Sequence, residues 1–182
     1  ERFGEVILTS SKPLNGTERV GEALSFIKKK YDYILNIQGD EPFIKPSQIK
    51  SLIDICDGKN SICTLVKKID DKKKILAPSI IKVKINSSNQ ALNFSRSMIN
   101  NGKKNEYFKH ICIYAFKYNI LSEIIRLPKS RLEKLESLEQ LRWLENNYKI
   151  IVNFTEEETF GIDTKEDLER ANKLVSSQKQ EN

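Results

Sequence analysis

The sequence predicts an α/β domain built on a mixed sheet, and three observations carry that expectation. Short apolar segments of strand length alternate with amphipathic helical segments in the first half of the chain, which argues for a parallel, doubly wound portion. Tyr33-Ile34-Leu35-Asn36-Ile37 is apolar enough to be covered on both faces. Strand-length segments then crowd together between Ile80 and Phe116, which marks an inserted antiparallel portion. With 182 residues and neither an internal repeat nor a low-complexity linker, residues 1–182 read as a single domain.

Taken in order, Val6-Ile7-Leu8 is expected to be a short buried strand. Asn15-Gly16 is a turn, and a helix opens at Thr17 as its N-cap, with Val20, Ala23, Leu24 and Ile27 on one face. The strand at Tyr33–Ile37 ends at Glu41-Pro42. A helix after Pro46 turns Ile49, Leu52, Ile53 and Cys56 inward. Ser61–Val66, Ile80–Ile85, Ala91–Ser95 and Tyr107–Phe116 are strands. Two helices follow, within Asn119–Arg126 and Leu132–Asn147, the second with a stripe of Leu135, Leu138, Leu141 and Leu144. A strand at Ile150–Asn153 leads to a last helix, Lys165–Val175, and a polar tail that frays.

Composition narrows the function classes. No apolar run is long enough to span a bilayer, and Glu1 to Thr9 lacks the basic flank and apolar stretch of a signal peptide, so no membrane partner is expected. Cys56, Cys63 and Cys112 are odd in number and widely spaced, which fits neither a disulfide framework nor a zinc knuckle and points to a reducing cytoplasm. The net charge of +6 owes much to lysine runs such as Lys28–Lys30 and Lys72–Lys74, read as solvated helix ends or turns. No nucleic-acid-binding signature accompanies them, so the positive potential is expected to favour small anionic substrates instead.

Gln38-Gly39-Asp40-Glu41-Pro42 follows an apolar strand directly, and the carboxyl ends of such strands form the ligand crevice of open α/β sheets. Asp40 therefore stands where a substrate or metal is met. In Asn15-Gly16-Thr17-Glu18-Arg19, Glu18 suits the positive end of a helix dipole and Arg19 does not, a local conflict that hints at a ligand. Phe108, His110, Cys112 and Tyr114 alternate along one strand, so His110 and Tyr114 are expected to stand about 13 Å apart and to line a groove as long as a sugar acid. Glu139 and Gln140 lie beside the leucine stripe, where they either face solvent or meet sugar hydroxyls. In Phe160-Gly161-Ile162-Asp163-Thr164, Thr164 and Asp167 have capping-box spacing. Asp163 either complements the helix dipole or supplies a second carboxylate for Mg²⁺.

These strings, together with Asn93-Phe94-Ser95-Arg96 and Leu138-Glu139-Gln140-Leu141-Arg142, stand in the order seen in 3-deoxy-manno-octulosonate (Kdo) cytidylyltransferases, the CMP-Kdo synthetases, and the sequence resembles that family over nearly its whole length. The resemblance implies a Rossmann-like nucleotide-diphospho-sugar transferase fold with an antiparallel dimerisation insert, hence a homodimer. It implies CTP and Kdo as substrates for lipopolysaccharide biosynthesis, and Mg²⁺ held by Asp40 and Asp163 as the catalytic carboxylates. Arg19 and Gln38 match the nucleotide side. Gln38, Arg96, His110, Tyr114, Glu139 and Gln140 match positions lining the sugar pocket, with Arg96 paired to the sugar carboxylate. Two departures stand out. Cys112 replaces a usual glycine, and a thiol there is expected to narrow the pocket or shift the sugar. The sequence also opens after the family's first strand and its Arg- and Lys-rich phosphate loop, so residues 1–182 alone are expected to be poorly soluble and nearly inactive. A cytidylyltransferase for another acidic sugar, such as a sialic acid, and a non-catalytic remnant of the fold are the rival readings.

Overall fold

Ten residues, Phe108–Lys117, form the strand around which the sheet is built. The structure, a computed structural model, describes residues 4–99, 106–162 and 164–180. In chain order the elements are α1 (Gly16–Ser25), β1 (Tyr33–Ile37), α2 (Pro46–Ile53), β2 (Ile62–Lys68), α3 (Lys72–Leu76), β3 (Lys82–Ile85), β4 (Ala91–Ser95), β5 (Phe108–Lys117), α4 (Tyr118–Ile124), α5 (Arg131–Glu136), α6 (Gln140–Glu145), β6 (Ile150–Phe154) and α7 (Lys165–Gln180). Strand β5 runs antiparallel to β2 along its length. Its other edge is shared, with β3 alongside Phe108 and Lys109 and β1 alongside Ile113–Lys117. The far edge of β2 pairs in parallel with β6, and β4 closes the insert as the hairpin partner of β3. The sheet is therefore mixed, as expected. The parallel portion is smaller than the alternation of elements suggests: β1 and β2 point the same way, but β5 enters between them.

Period-2 alternation explains the two cores. Ile62 and Val66 of β2 and Tyr114 and Phe116 of β5 face one side, where they pack with Trp143, Leu121 and Leu141. Cys63, Leu65, Ile111, Ile113 and Ala115 face the other, against Leu52 of α2. Both faces of β2 and β5 are thus covered, which is why Ile62–Val66 and Ile111–Phe116 are nearly continuous apolar runs. The β3–β4 turn is set by Asn86, whose side-chain oxygen accepts from the amides of Ser88 and Gln90, with Asn89 in the left-handed region at φ 56°.

Several local expectations fail for identifiable reasons. Val6-Ile7-Leu8 forms no strand; Val6 and Leu8 are exposed, because strand propensity without a pairing ladder does not hold a strand. The N-cap of α1 is Asn15, which accepts from the Glu18 amide, while Thr17 lies inside the helix and is buried. The single helix expected over Leu132–Asn147 is two, α5 and α6. Ser137 adopts the left-handed conformation (φ 55°, ψ 45°) and breaks it. The leucine stripe breaks with it, leaving Leu138 and Leu141 buried and Leu135 in solvent. The short helix α3 contains the lysine run Lys72–Lys74, and α7 continues through the expected tail to Gln180. Among the described residues no helix is long and apolar enough to cross a membrane.

Candidate active site

The site is assembled where the carboxyl end of β1 meets the amino end of α1 and the start of α6. Asn36 and Gln38 leave β1 on the same side. Gln38 Nε2 donates to Asn36 Oδ1 at 3.1 Å, and Asn36 Nδ2 donates to Thr17 Oγ1 at 3.2 Å. The Thr17 hydroxyl donates to Glu139 Oε1 at 2.7 Å. Gly16 makes this approach possible, since a Cβ there would stand 2.3 Å from Gln38 Oε1. Burial pushes the Glu139 carboxyl up to about 7, against the downward pull of the Thr17 hydrogen bond and of Arg142. Gln140, next in the chain, is 3% exposed, and its Nε2 has no hydrogen-bond partner among the described residues. A buried amide in that state calls for a partner, a water or a ligand atom, as does Gln48 Nε2 elsewhere in the fold.

Below Glu139, Arg142 is clamped between Glu133 (Nη2–Oε1 2.5 Å) and Glu18 (Nη1–Oε1 3.3 Å). The clamp ties α1, α5 and α6 together and fixes the start of α6. Arg96, after β4, donates through Nε to the Glu136 carbonyl and through Nη1 to the Pro78 carbonyl, both at 3.3 Å. Lys82 is buried beneath it and donates to the carbonyls of Ala77 and Arg96, each at 2.6 Å. Burial, and then Arg96, hold the Lys82 ammonium below its usual range. The sequence reading missed Lys82, because it alternates with Ile81, Val83 and Ile85 just as Lys84 does and so carries the pattern of a solvent-facing lysine.

His110 and Tyr114 are not spread along a groove. Their rings lie 5.2 Å apart within an aromatic cluster that includes Phe94 and Trp143, and both residues are 3% exposed. The register of β5 against β2 slips after Ile111, so the ideal strand rise overstates their separation. Burial lowers the His110 imidazole to about 3, so it is neutral. Its Nε2 lies 2.9 Å from Thr64 Oγ1, and the Cys112 sulfur lies 3.6 Å from its Nδ1. Arg19 is turned outward and donates to Thr9 Oγ1 (2.6 Å) and to the Ser10 carbonyl (3.2 Å).

Asp40 is exposed on the loop after β1. The Ile162 amide donates to its carbonyl at 2.8 Å, which brings the chain leading to residue 163 against it. Asp163 itself lies outside the described residues. The loop before it is fixed by Phe160, packed between the Phe43 ring (4.9 Å between centroids) and the Arg170 guanidinium (4.1 Å). Lys67 and Lys109 hold the preceding segment through the carbonyls of Glu156 and Thr159. The exposed Asp40 carboxylate is an oxygen donor of the type a hard cation takes, and among the described residues no group of three or more His, Cys, Asp or Glu side chains is placed to hold a metal ion without Asp163.

The sequence matches the Cytidylyltransferase family over residues 1–150. It is 48% identical to the 3-deoxy-manno-octulosonate cytidylyltransferase of Parabacteroides distasonis, across 92% of this chain and 72% of that one. The chain belongs to the 3-deoxy-manno-octulosonate cytidylyltransferase family. The homologue from Thermodesulfovibrio yellowstonii is 44% identical over 96% of this chain and 74% of its own. Among solved structures, CMP:2-keto-3-deoxy-manno-octonic acid synthetase complexed with CTP superposes with a TM-score of 0.85 at 33% identity, covering 96% of this chain and 73% of that one. The 4-diphosphocytidyl-2C-methyl-D-erythritol synthase of Anaerococcus prevotii, at 15% identity and a TM-score of 0.59, shares the fold. The chain is therefore a nucleotidyltransferase of the cytidylyltransferase type, with the mixed α/β sheet of that fold.

Proposed function

We propose that this protein activates Kdo for lipopolysaccharide synthesis, converting CTP and Kdo to CMP-Kdo and pyrophosphate. The observation that carries the reading is the close superposition on the CTP-complexed synthetase. The anomeric hydroxyl of Kdo attacks the α-phosphorus in line; the new P–O bond forms as the bond to pyrophosphate breaks, and the hydroxyl proton is released. Asp40 and Asp163 are the residues that would hold Mg²⁺. When bound, the ion neutralises charge on the phosphates and favours ionisation of the attacking hydroxyl. Arg19 and Gln38 serve the nucleotide side. Arg96 takes the sugar carboxylate in a charge-assisted contact, with Lys82 adding positive potential beneath it. Glu139 and Gln140 meet sugar hydroxyls, and the unsatisfied Gln140 amide supports this role. His110 and Tyr114 form the wall behind that subsite and shape it through packing. A cytoplasmic homodimer is part of the same reading, joined through the segment Ile80–Phe116. Leu92 and Met98, apolar and about half exposed on that insert, support it.

Pyrophosphate release by the full-length protein, assayed with CTP, Kdo and Mg²⁺, tests the reading. Turnover is expected with Kdo and not with a sialic acid, and Asp40→Asn should abolish it while leaving the fold intact. Full turnover after removal of divalent metal would overturn the metal assignment, and preference for the sialic acid would overturn the substrate.

A further inference from the structure

The side chains of Gln38, Asn36, Thr17 and Glu139 form an unbroken hydrogen-bonded line from the end of β1 to the start of α6, with links of 3.1, 3.2 and 2.7 Å. One end sets its polarity. The Thr17 hydroxyl has a single proton and gives it to Glu139, so Thr17 Oγ1 must accept from Asn36. Asn36 therefore turns its NH₂ towards Thr17 and its oxygen towards Gln38, which must answer with its own NH₂. A glutamine amide is otherwise nearly two-fold about its last torsion; here only one orientation satisfies every member, and Oε1 is left as the acceptor offered to a ligand. Thr17 and Asn36 are 3% and 2% exposed, so water does not readily replace either link. Gly16 packs directly beneath the Gln38 amide and limits its swing.

We infer that Thr17 and Asn36 are positioning residues that lock the Gln38 amide to the Glu139 carboxyl and so hold the nucleotide and sugar sides of the site in one register. The inference rests on the proposed reading, which puts Gln38 beside the nucleotide and Glu139 beside the sugar. Neither Thr17 nor Asn36 needs to touch substrate. The line survives protonation of Glu139, because a proton on Oε2 leaves Oε1 free to accept from Thr17. The charged and titratable groups around that carboxyl are Arg142, Glu133, Glu18 and Tyr114. A ligand atom that meets Gln38 Oε1 is required to be a donor, a hydroxyl or an amino group.

Side-chain amide NMR tests the line without relying on turnover. In the unmutated protein, the Asn36 and Gln38 NH₂ protons should exchange with solvent about tenfold or more slowly than those of exposed Asn172. Thr17→Val should shift the Gln38 NH₂ signals, although no hydrogen bond joins Thr17 to Gln38, and Thr17→Ser should restore them. Exchange at Gln38 as fast as at Asn172, or Gln38 signals unmoved by Thr17→Val, would overturn the inference. The exchange measurement decides the matter even if Thr17→Val does not fold. In the full-length enzyme, Thr17→Val should raise both KM values about fivefold or more, yet add nothing to the CTP KM of Gln38→Ala in the double variant. Additive losses would mean that Thr17 acts on structure alone. An unmutated protein that releases no pyrophosphate from CTP and Kdo refutes the functional reading, while the amide signals still decide the line.

Discussion

At the residue scale, two buried groups set opposite pH dependences. His110 is held near 3 by burial and titrates near 6.5 when unfolded, so below pH 6.5 the unfolded chain takes up a proton that the native state refuses. Its contribution to stability is lost as pH falls through that window. Glu139 is raised to about 7 from an ordinary value of 4.5, so between those values the native state holds the proton instead. Stability is lost there as pH rises, by at most about 3 kcal/mol at 1.36 kcal/mol per unit. The two slopes cancel between roughly pH 4.5 and 6.5. Urea unfolding followed through Trp143, the only tryptophan, should show Glu139→Gln abolishing the decline above pH 6.5. The single imidazole signal should stay put between pH 5 and 8. Arg96→Ala is expected to raise the KM for Kdo about tenfold or more with little change for CTP, because the proposed function pairs Arg96 with the sugar carboxylate; steady-state kinetics with each substrate varied in turn check this. The string of motifs marked Gln38 and Glu139, which the fold joins on one hydrogen-bonded line, but it did not show how deeply His110 and Tyr114 lie. Alternation put His110 and Tyr114 on one face without saying that the face is closed. The interior position of Asn36 in an apolar strand was the sign that a buried polar line existed, since such a group needs partners.

At the scale of elements, the junction of α5 and α6 concentrates the risk. Ser137 is held in the left-handed region, where glycine has no Cβ penalty, so Ser137→Gly should raise the melting temperature, stabilising by about 0.5–1 kcal/mol. The Glu133–Arg142 pair across the same turn is buried on both sides, and Glu133→Ala should destabilise by about 3 kcal/mol, because it leaves Nε and Nη2 of the guanidinium without acceptors while Nη1 keeps Glu18 and the Leu127 carbonyl. Differential scanning calorimetry of the two variants measures both effects. A break in a leucine-rich stretch carrying neither Gly nor Pro was not legible from its periodicity. Tertiary burial of Glu133, Leu138 and Arg142 selected it over a continuous helix that would keep Leu135 in the stripe. The strands fared better: β2 to β6 fall within a few residues of where their apolar runs place them, since strand period and length are local properties.

At the scale of the whole molecule, the proposed dimer is checked by sedimentation of the full-length protein, with a two-copy mass expected at micromolar concentration. The mixed character of the sheet was legible in the crowding of strands after Ile80. The order of strands was not, because pairing joins residues that no local pattern relates: Leu35 meets Ala115, and Cys63 meets both Ala115 and Ile151. That arrangement has a consequence for how the protein is made. A ribosome delivers β1, α2 and β2 long before β5, yet the first two strands touch only through it. Until Lys117 clears the exit tunnel, β1 and β2 lack the strand that joins them, and the apolar faces they share with β5 stay wet. Assembly of the body of the sheet is then abrupt rather than gradual, and a nascent chain stalled before Phe108 should be digested by protease as readily as an unstructured peptide, while one stalled well beyond Phe154 should resist.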